Sequence, residues 1–283
     1  MKILITGTTG YIAKRLALNL LAQNHQLVCC VRDLNRIPDE IEFKENITFL
    51  KIDFLEEETV SFPKDIDVAY YLIHSMSTSS TDFQSLEKKC AEKFKYLVEK
   101  TNCQQTIYLS GIVNDSSLST HLKSRLEVEK TLASKKYALT TLRAGIIVGS
   151  GSASFEIIRD IVEKLPLMVT PSWLNTKTQP IAIRDVLSFL QRSMGKEQLY
   201  NRSFDVFGPE ILTYKEMLLQ FAEVRNLKRV IITLPFLSPK LSSYWLYFVT
   251  STSFNLAQAL VNSMKVEVIG KQSNLNELSL IHI

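Results

Sequence analysis

Near its start the chain reads Lys2-Ile3-Leu4-Ile5-Thr6-Gly7-Thr8-Thr9-Gly10-Tyr11-Ile12-Ala13-Lys14-Arg15-Leu16, a run compatible with few folds. Ile3, Leu4 and Ile5 form a short apolar stretch, as a strand buried on both faces requires. The turn Gly7-Thr8-Thr9-Gly10 follows at once. Ile12, Leu16, Ala17, Leu20 and Leu21 then recur with the spacing of one helix face. Strand, glycine turn and helix are the physical parts of a dinucleotide site. Gly7 allows the tight turn, Gly10 lets a pyrophosphate approach the backbone, and Thr9, Tyr11 and Ile12 frame a helix N-terminus whose free N–H groups suit an anion. Ala13 stands at the third small position, where the helix packs close to the strand.

The rest of the first half repeats this alternation. Gln26–Arg32, Ile47–Ile52, Ile66–Ile73, Gln105–Ser110 and Ala138–Arg143 read as strands. Helical patterns separate several of them, including one from Phe83 onward that the box Thr81-Asp82-Phe83-Gln84 would cap. Another follows the polar loop Asn114–Thr120. Such alternation implies a doubly wound parallel α/β sheet with right-handed crossovers and, for a Rossmann-like sheet, the strand order 3-2-1-4-5-6. After Gly151 the rhythm changes. A helix near Phe155–Leu165 stops at Pro166, and Gln179–Val186 reads as a short strand into a helix with Asp185 as its cap. Ser203–Phe207 is a strand, Thr213-Tyr214-Lys215-Glu216 is a capping box, and Arg229–Leu234 is a further strand. Residues 1–150 are thus expected to form a dinucleotide-binding core, and 151–283 a smaller cap interleaved with it in one structural unit.

Composition narrows the function. The net charge of +4 is small and unclustered, so nucleic acid is not an expected partner. Cys29, Cys30, Cys90 and Cys103 lack metal-ligand spacing, and no metal is expected. The absence of a signal peptide points to reduced thiols in a cytoplasmic protein. From Leu241 to Met264 the chain carries no charge over a length that could span a bilayer. Polar residues interrupt it throughout, so two amphipathic helices broken near Thr250–Ser253 fit better, with peripheral membrane contact through Trp245-Leu246-Tyr247-Phe248 as a possible accessory.

The spacing Thr6-Gly7-x-x-Gly10-x-x-Ala13 resembles the extended and atypical branches of the short-chain dehydrogenase/reductase superfamily. Leu142-Arg143-Ala144-Gly145-Ile146-Ile147-Val148-Gly149 and Gln179–Val186 are similar to later signatures of those branches. Leu72-Ile73-His74-Ser75-Met76 and Phe204-Asp205-Val206-Phe207-Gly208-Pro209 resemble an atypical bacterial subgroup. The resemblance implies that Asp53 and Phe54 border an adenine, that Leu72, Ile73 and His74 pass the ribose and nicotinamide side, and that Ala144 and Gly145 lie by the nicotinamide. It implies that Ser110 meets a substrate carbonyl. The superfamily's Tyr-x-x-x-Lys pair is replaced here by His121-Leu122-Lys123-Ser124-Arg125, which makes His121 and Arg125 the candidates for its acid–base and ribose-holding roles. Tyr96-Leu97-Val98-Glu99-Lys100 matches the pattern in text only, on a helix before strand five.

At the end of strand two, Arg32 and Arg36 favour NADP over NAD, because a guanidinium pairs with a 2′-phosphate; Asp33, one residue on, would suit the 2′-hydroxyl of NAD. Three functions remain open: an oxidoreductase on a small carbonyl substrate, a cofactor-binding sensor or assembly factor without hydride chemistry, and a nucleotide-sugar epimerase. An apolar substrate lining is expected from Phe155, Ile157, Ile158, Leu167, Met168, Trp173 and Phe207, with Arg159 and Lys177 as cations for an anionic group.

Overall fold

The computed structural model describes residues 1–42, 44–56, 60–73, 83–113, 120–234, 261 and 264–271. The box at Thr81-Asp82, His74 and the stretch Trp245–Phe248 lie outside them. Strands β1 (Lys2–Ile5), β2 (Gln26–Val31), β3 (Ile47–Lys51), β4 (Val68–Tyr71), β5 (Gln105–Gly111) and β6 (Ala138–Ala144) carry helices α1 (Tyr11–Ala22), α2 (Asp39–Glu42), α3 (Phe83–Val98) and α4 (Thr120–Leu132) between them. The second half contains β7 (Ile147–Val148), α5 (Ala153–Lys164), β8 (Leu167–Pro171), β9 (Lys177–Thr178) and β10 (Ile181–Ala182). It continues with α6 (Ile183–Arg192), β11 (Arg202–Val206), β12 (Leu212–Thr213), α7 (Tyr214–Val224) and β13 (Val230–Leu234).

Seven strands form one sheet in the order β11-β6-β5-β4-β1-β2-β3, every neighbouring pair parallel. The expected order of the first six strands holds. The addition is β11, the strand anticipated at Ser203–Phe207, which pairs with β6 along its whole length and so returns the chain to the core sheet.

The inner strands of this sheet are covered on both sides, and period-two alternation sorts their residues between two cores. Tyr70 faces one core and donates its hydroxyl to Leu190 O of α6 at 3.0 Å, while Tyr71 faces the other. Cys29 and Cys30 divide in the same way, as neighbours on a buried strand must. The first core takes Ala13, Leu16, Ala17 and Leu20 of α1 together with α6; the second takes Ala91, Phe94, Leu97 and Val98 of α3. A third cluster, including Ile157 and Ile161 of α5, Trp173, and Met217 and Leu218 of α7, forms the separate core of the second half.

Local signals in this half are partly as expected. Ser152 caps α5, accepting from Phe155 N at 3.2 Å, and Thr213 with Glu216 makes a complete capping box on α7. Asp185 is not a cap. Ala182 occupies that position, and Asp185 sits in the first turn of α6, where a carboxylate is favoured by the helix dipole.

Cys29, Cys30, Cys90 and Cys103 are all free and buried. Burial pushes the Cys29 thiol up to about 12 and the Cys90 and Cys103 thiols up to about 11, so little thiolate exists near neutrality. The native protein should therefore react slowly with iodoacetamide. After unfolding without reductant all four sites should gain the label by mass spectrometry; a blocked pair would contradict this. Among the described residues no helix is long and apolar enough to cross a membrane.

Candidate functional site

The turn after β1 is built by its own side chains. Thr6 Oγ1 donates to Tyr70 O at 3.2 Å and accepts from Leu72 N at 3.0 Å, which ties β1 to the end of β4. Thr8 Oγ1 donates to Ile5 O at 3.1 Å, and Gly10 N donates to Gly7 O at 2.8 Å. Gly7 has φ +67, and a Cβ there would lie 2.8 Å from Leu72 O. Helix α1 starts at Gly10 without a side-chain cap and without an acidic residue in its first turn. Its first N–H groups and positive dipole end are thus left for an anion.

This turn opens into a cavity of about 570 Å³ at the carboxyl ends of the strands, between the parallel neighbours β1 and β4, from which the chain winds to opposite edges of the sheet. Gly7, Thr9, Gly10, Tyr11 and Ile12 line it from α1 and its turn. Arg32 and Arg36 line it after β2, Asp53 and Phe54 after β3, and Leu72 and Ile73 after β4. Ser110 stands at the end of β5, Arg125 on α4, and Ala144 and Gly145 at the end of β6. The structure therefore brings these fifteen sequence-selected residues to one crevice. Of the remaining two, His74 is outside the described residues, and for His121 only the backbone position on α4 is described.

Beyond β2, Asp33 accepts from Asn35 N at 3.0 Å and caps the short turn that carries Arg36. One oxygen of the competing carboxylate is thereby engaged with its own backbone.

At the other end of the crevice Arg125 is buried on α4. It is 8% exposed, with Nη1 donating to Ile73 O at 3.4 Å and to the Tyr108 hydroxyl at 3.2 Å. The Tyr108 hydroxyl donates back to Arg125 O at 3.4 Å. Burial pushes the Tyr108 hydroxyl up, and the Arg125 guanidinium works against that shift. Ser110 Oγ is buried and, among the described residues, makes no hydrogen bond in this state; the Tyr108 hydroxyl is its polar neighbour. A buried hydroxyl without a partner costs free energy, so it marks a place where a bound oxygen would be welcome. Two contacts hold α4 in position. Arg143 forks onto Glu129 at 3.1 and 2.7 Å, and Ser124 donates to Glu87 at 2.5 Å.

The Tyr96–Lys100 text match is a surface pair. Tyr96 is 58% exposed, and the Lys100 ammonium stacks over its ring at 3.7 Å.

The expected substrate lining is not the one found. Ile157, Ile158, Met168 and Trp173 belong to the core of the second half, Phe155 stacks edge-on against Phe221, and Leu167 is exposed; neither these nor Phe207 line the crevice. Arg159 is paired with Glu156 and Asp160, and Lys177 is also off the crevice. The lining from this half comes instead from Ser152, Ala153 and Ser154 at the start of α5, and from Tyr214, Met264 and Val268. The sequence carried a signal for the first group. Gly149-Ser150-Gly151-Ser152 repeats, after β7, the strand–glycine turn–helix pattern of the amino terminus. Arg15 links the two turns, with Nη1 on Tyr11 O at 3.2 Å and Nη2 on Ser150 O at 3.0 Å.

No protein-family model and no curated relative matches the chain. Solved structures do. The UDP-glucuronic acid 4-epimerase from Bacillus cereus, in complex with NAD, is similar with a TM-score of 0.71 at 17% identity, over 94% of this chain and 96% of that one. A nucleoside-diphosphate-sugar epimerase from Staphylococcus aureus gives 0.73 at 13% identity, over 97% of this chain and 93% of that one. An NAD-dependent NDP-hexosamine 5,6-dehydratase gives 0.67 at 16% identity, over 83% and 85%. The chain thus shares its Rossmann-like α/β fold with these epimerases and this dehydratase.

Proposed function

We propose that the crevice binds a nicotinamide dinucleotide, NADP(H) in preference to NAD(H), and that the protein is an oxidoreductase on a small carbonyl substrate. The observation that carries this is the convergence of the Gly7–Ala13 turn, open for an anion at the start of α1, with the unpartnered buried hydroxyl of Ser110 in one cavity. The pyrophosphate would lie on the α1 N-terminus, and Arg32 and Arg36 would take the 2′-phosphate. Asp53 and Phe54 would border the adenine, and Ala144 and Gly145 would flank the nicotinamide. When bound, that ring supplies or accepts the hydride. Ser110 would hydrogen-bond the reacting oxygen. Arg125 would act behind it, holding the Tyr108 hydroxyl in place and presenting a fixed positive charge; a guanidinium does not shuttle protons at neutral pH.

Two other readings have support. The similar solved structures are named as sugar-nucleotide epimerases and dehydratases, and several hold NAD. The position of the superfamily tyrosine is His121, which favours a dinucleotide-binding protein without hydride chemistry. Titration with NADPH and NADH, then incubation of the NADPH complex with a carbonyl panel, separates the three. Oxidation of NADPH supports the first, and binding without oxidation supports a sensor. Interconversion of a UDP-sugar at constant total NAD supports an epimerase.

Arg32→Ala should weaken NADPH binding by about 2 kcal/mol, roughly 30-fold, and leave NADH nearly unchanged, since a charged hydrogen bond to phosphate is worth about that much. Equal losses for both cofactors would remove Arg32 as the discriminator.

A further inference from the structure

We propose that the outer face of the two-stranded β8–β13 sheet is a docking surface for an anionic lipid membrane. The crevice and its ligand play no part in this inference. Strands β8 and β13 pair in parallel, with Leu167 opposite Val230 and Val169 opposite Ile232. Side chains alternate between the two faces of such a ribbon. Met168 and Ile231 point inward and pack in the core of the second half. The outward set is Leu167, Val169, Val230, Ile232 and Leu234, which are 55%, 41%, 58%, 48% and 39% exposed. An outward face ordinarily carries polar residues, yet all five of these positions are aliphatic, and cross-strand pairing merges them into one stripe. Exposed aliphatics scattered singly need no explanation, but a contiguous stripe marks an interaction surface.

The charge beside the stripe selects the partner. Because the strands are parallel, the residues that precede them lie at one end, where Val230 N donates to Pro166 O at 3.1 Å. Lys228 is exposed at that end. Arg229 donates to the carbonyls of Val162, Glu163 and Lys228, which hold its guanidinium in place without neutralising it. Of the carboxylates near the end of α5, Glu163 is offset by Arg225 and Asp160 by Lys164, each at 3.1 Å. An aliphatic stripe with cations at its end matches a bilayer whose headgroups are anionic.

Area argues against a second copy of the chain as the occupant. Five side chains at these exposures offer on the order of 400 Å². A stable dimer needs about 800 Å² from each partner. A membrane asks for less, because each cation close to an anionic surface multiplies the affinity about fivefold on top of the apolar burial. The stretch that continues from β13 contains Trp245-Leu246-Tyr247-Phe248, and its sequence has the aromatic content of a membrane interface.

The test is co-sedimentation of the whole chain with sucrose-loaded vesicles. One set is phosphatidylcholine alone, the other equal parts phosphatidylcholine and phosphatidylglycerol. Light scattering of the vesicle-free protein reports its oligomeric state. The expected result is a monomer that binds the mixed vesicles roughly tenfold more tightly than the neutral ones. Val169→Thr with Ile232→Thr keeps branched side chains that suit a strand, and should lose binding roughly tenfold with an unchanged melting temperature. Lys228→Gln should lose about fivefold on the mixed vesicles and nothing on the neutral ones. No vesicle binding overturns the proposal, whether the protein dimerises through the stripe or covers it with its own chain. Binding that survives the threonine pair, or that is equal on both vesicle types, overturns it as well.

Discussion

Gly7→Val is expected to abolish dinucleotide binding and to destabilise the protein by about 2–4 kcal/mol, from left-handed backbone strain together with steric overlap. Both causes are local. At φ +67 a branched side chain clashes with its own carbonyl, and its Cβ would sit 2.8 Å from Leu72 O, well inside contact distance. Leu72 cannot simply retreat, because its N–H is held by Thr6 Oγ1 and Thr6 in turn bonds Tyr70 O. The strain would be relieved by pushing the turn outward, away from the first N–H groups of α1. Gly195 supplies the control. It has a similar φ of +69, yet a Cβ there meets nothing within 4 Å. Gly195→Ala should cost only the conformational strain, about 1 kcal/mol, and leave cofactor affinity unchanged. Denaturant titration and NADPH fluorescence measure the two effects. Wild-type NADPH affinity in Gly7→Val would remove this turn from the cofactor site.

Phe94→Ala is expected to be the most destabilising single truncation of the α3 core, at about 3–5 kcal/mol. Phe94 is fully buried, and three aromatic rings surround it: Tyr71 at 4.9 Å, Phe54 at 6.2 Å and Phe62 at 6.3 Å between centroids. These edge-on and tilted contacts add to simple area burial. The consequence reaches the site, because Phe54 also lines the crevice beside Asp53. Without Phe94 behind it, Phe54 gains rotamer freedom, and NADPH affinity should fall several-fold along with stability. Phe94→Leu keeps most of the volume and should cost about 1.5 kcal/mol, with cofactor affinity near wild type. A loss below about 1 kcal/mol for the alanine variant would show that the cluster closes over the cavity, contrary to the rigid packing proposed for it.

Local chemistry alone made much of the glycine-turn half of the crevice readable. A glycine turn between an apolar strand and an amphipathic helix dictates its own geometry, because the left-handed φ, the tight Gly10–Gly7 bond and the uncapped helix start all arise within a few residues. The opposite facing of Cys29 and Cys30, and the capping box Thr213–Glu216, follow from neighbours in sequence in the same way. What lies across the crevice from this turn was decided by tertiary structure. Nothing in Ser203–Phe207 says that this strand pairs with β6, since a period-two pattern specifies which faces are buried but not by which partner. The sequence of α4 mixes Ser124 and Arg125 with Leu122 and Val128, so it does not say which of its faces is buried. Arg125 is buried because Ile73 O and the Tyr108 hydroxyl, 52 and 17 residues away in the chain, supply the partners that make burial tolerable. The substrate lining shows the same limit. Phe155, Met168 and Trp173 are apolar enough to line a pocket, yet they were needed to hold the second half together. The crevice took Leu122 and Val268 because chain crossings brought the first against Gly111 and the second against Gly145, at the ends of two strands.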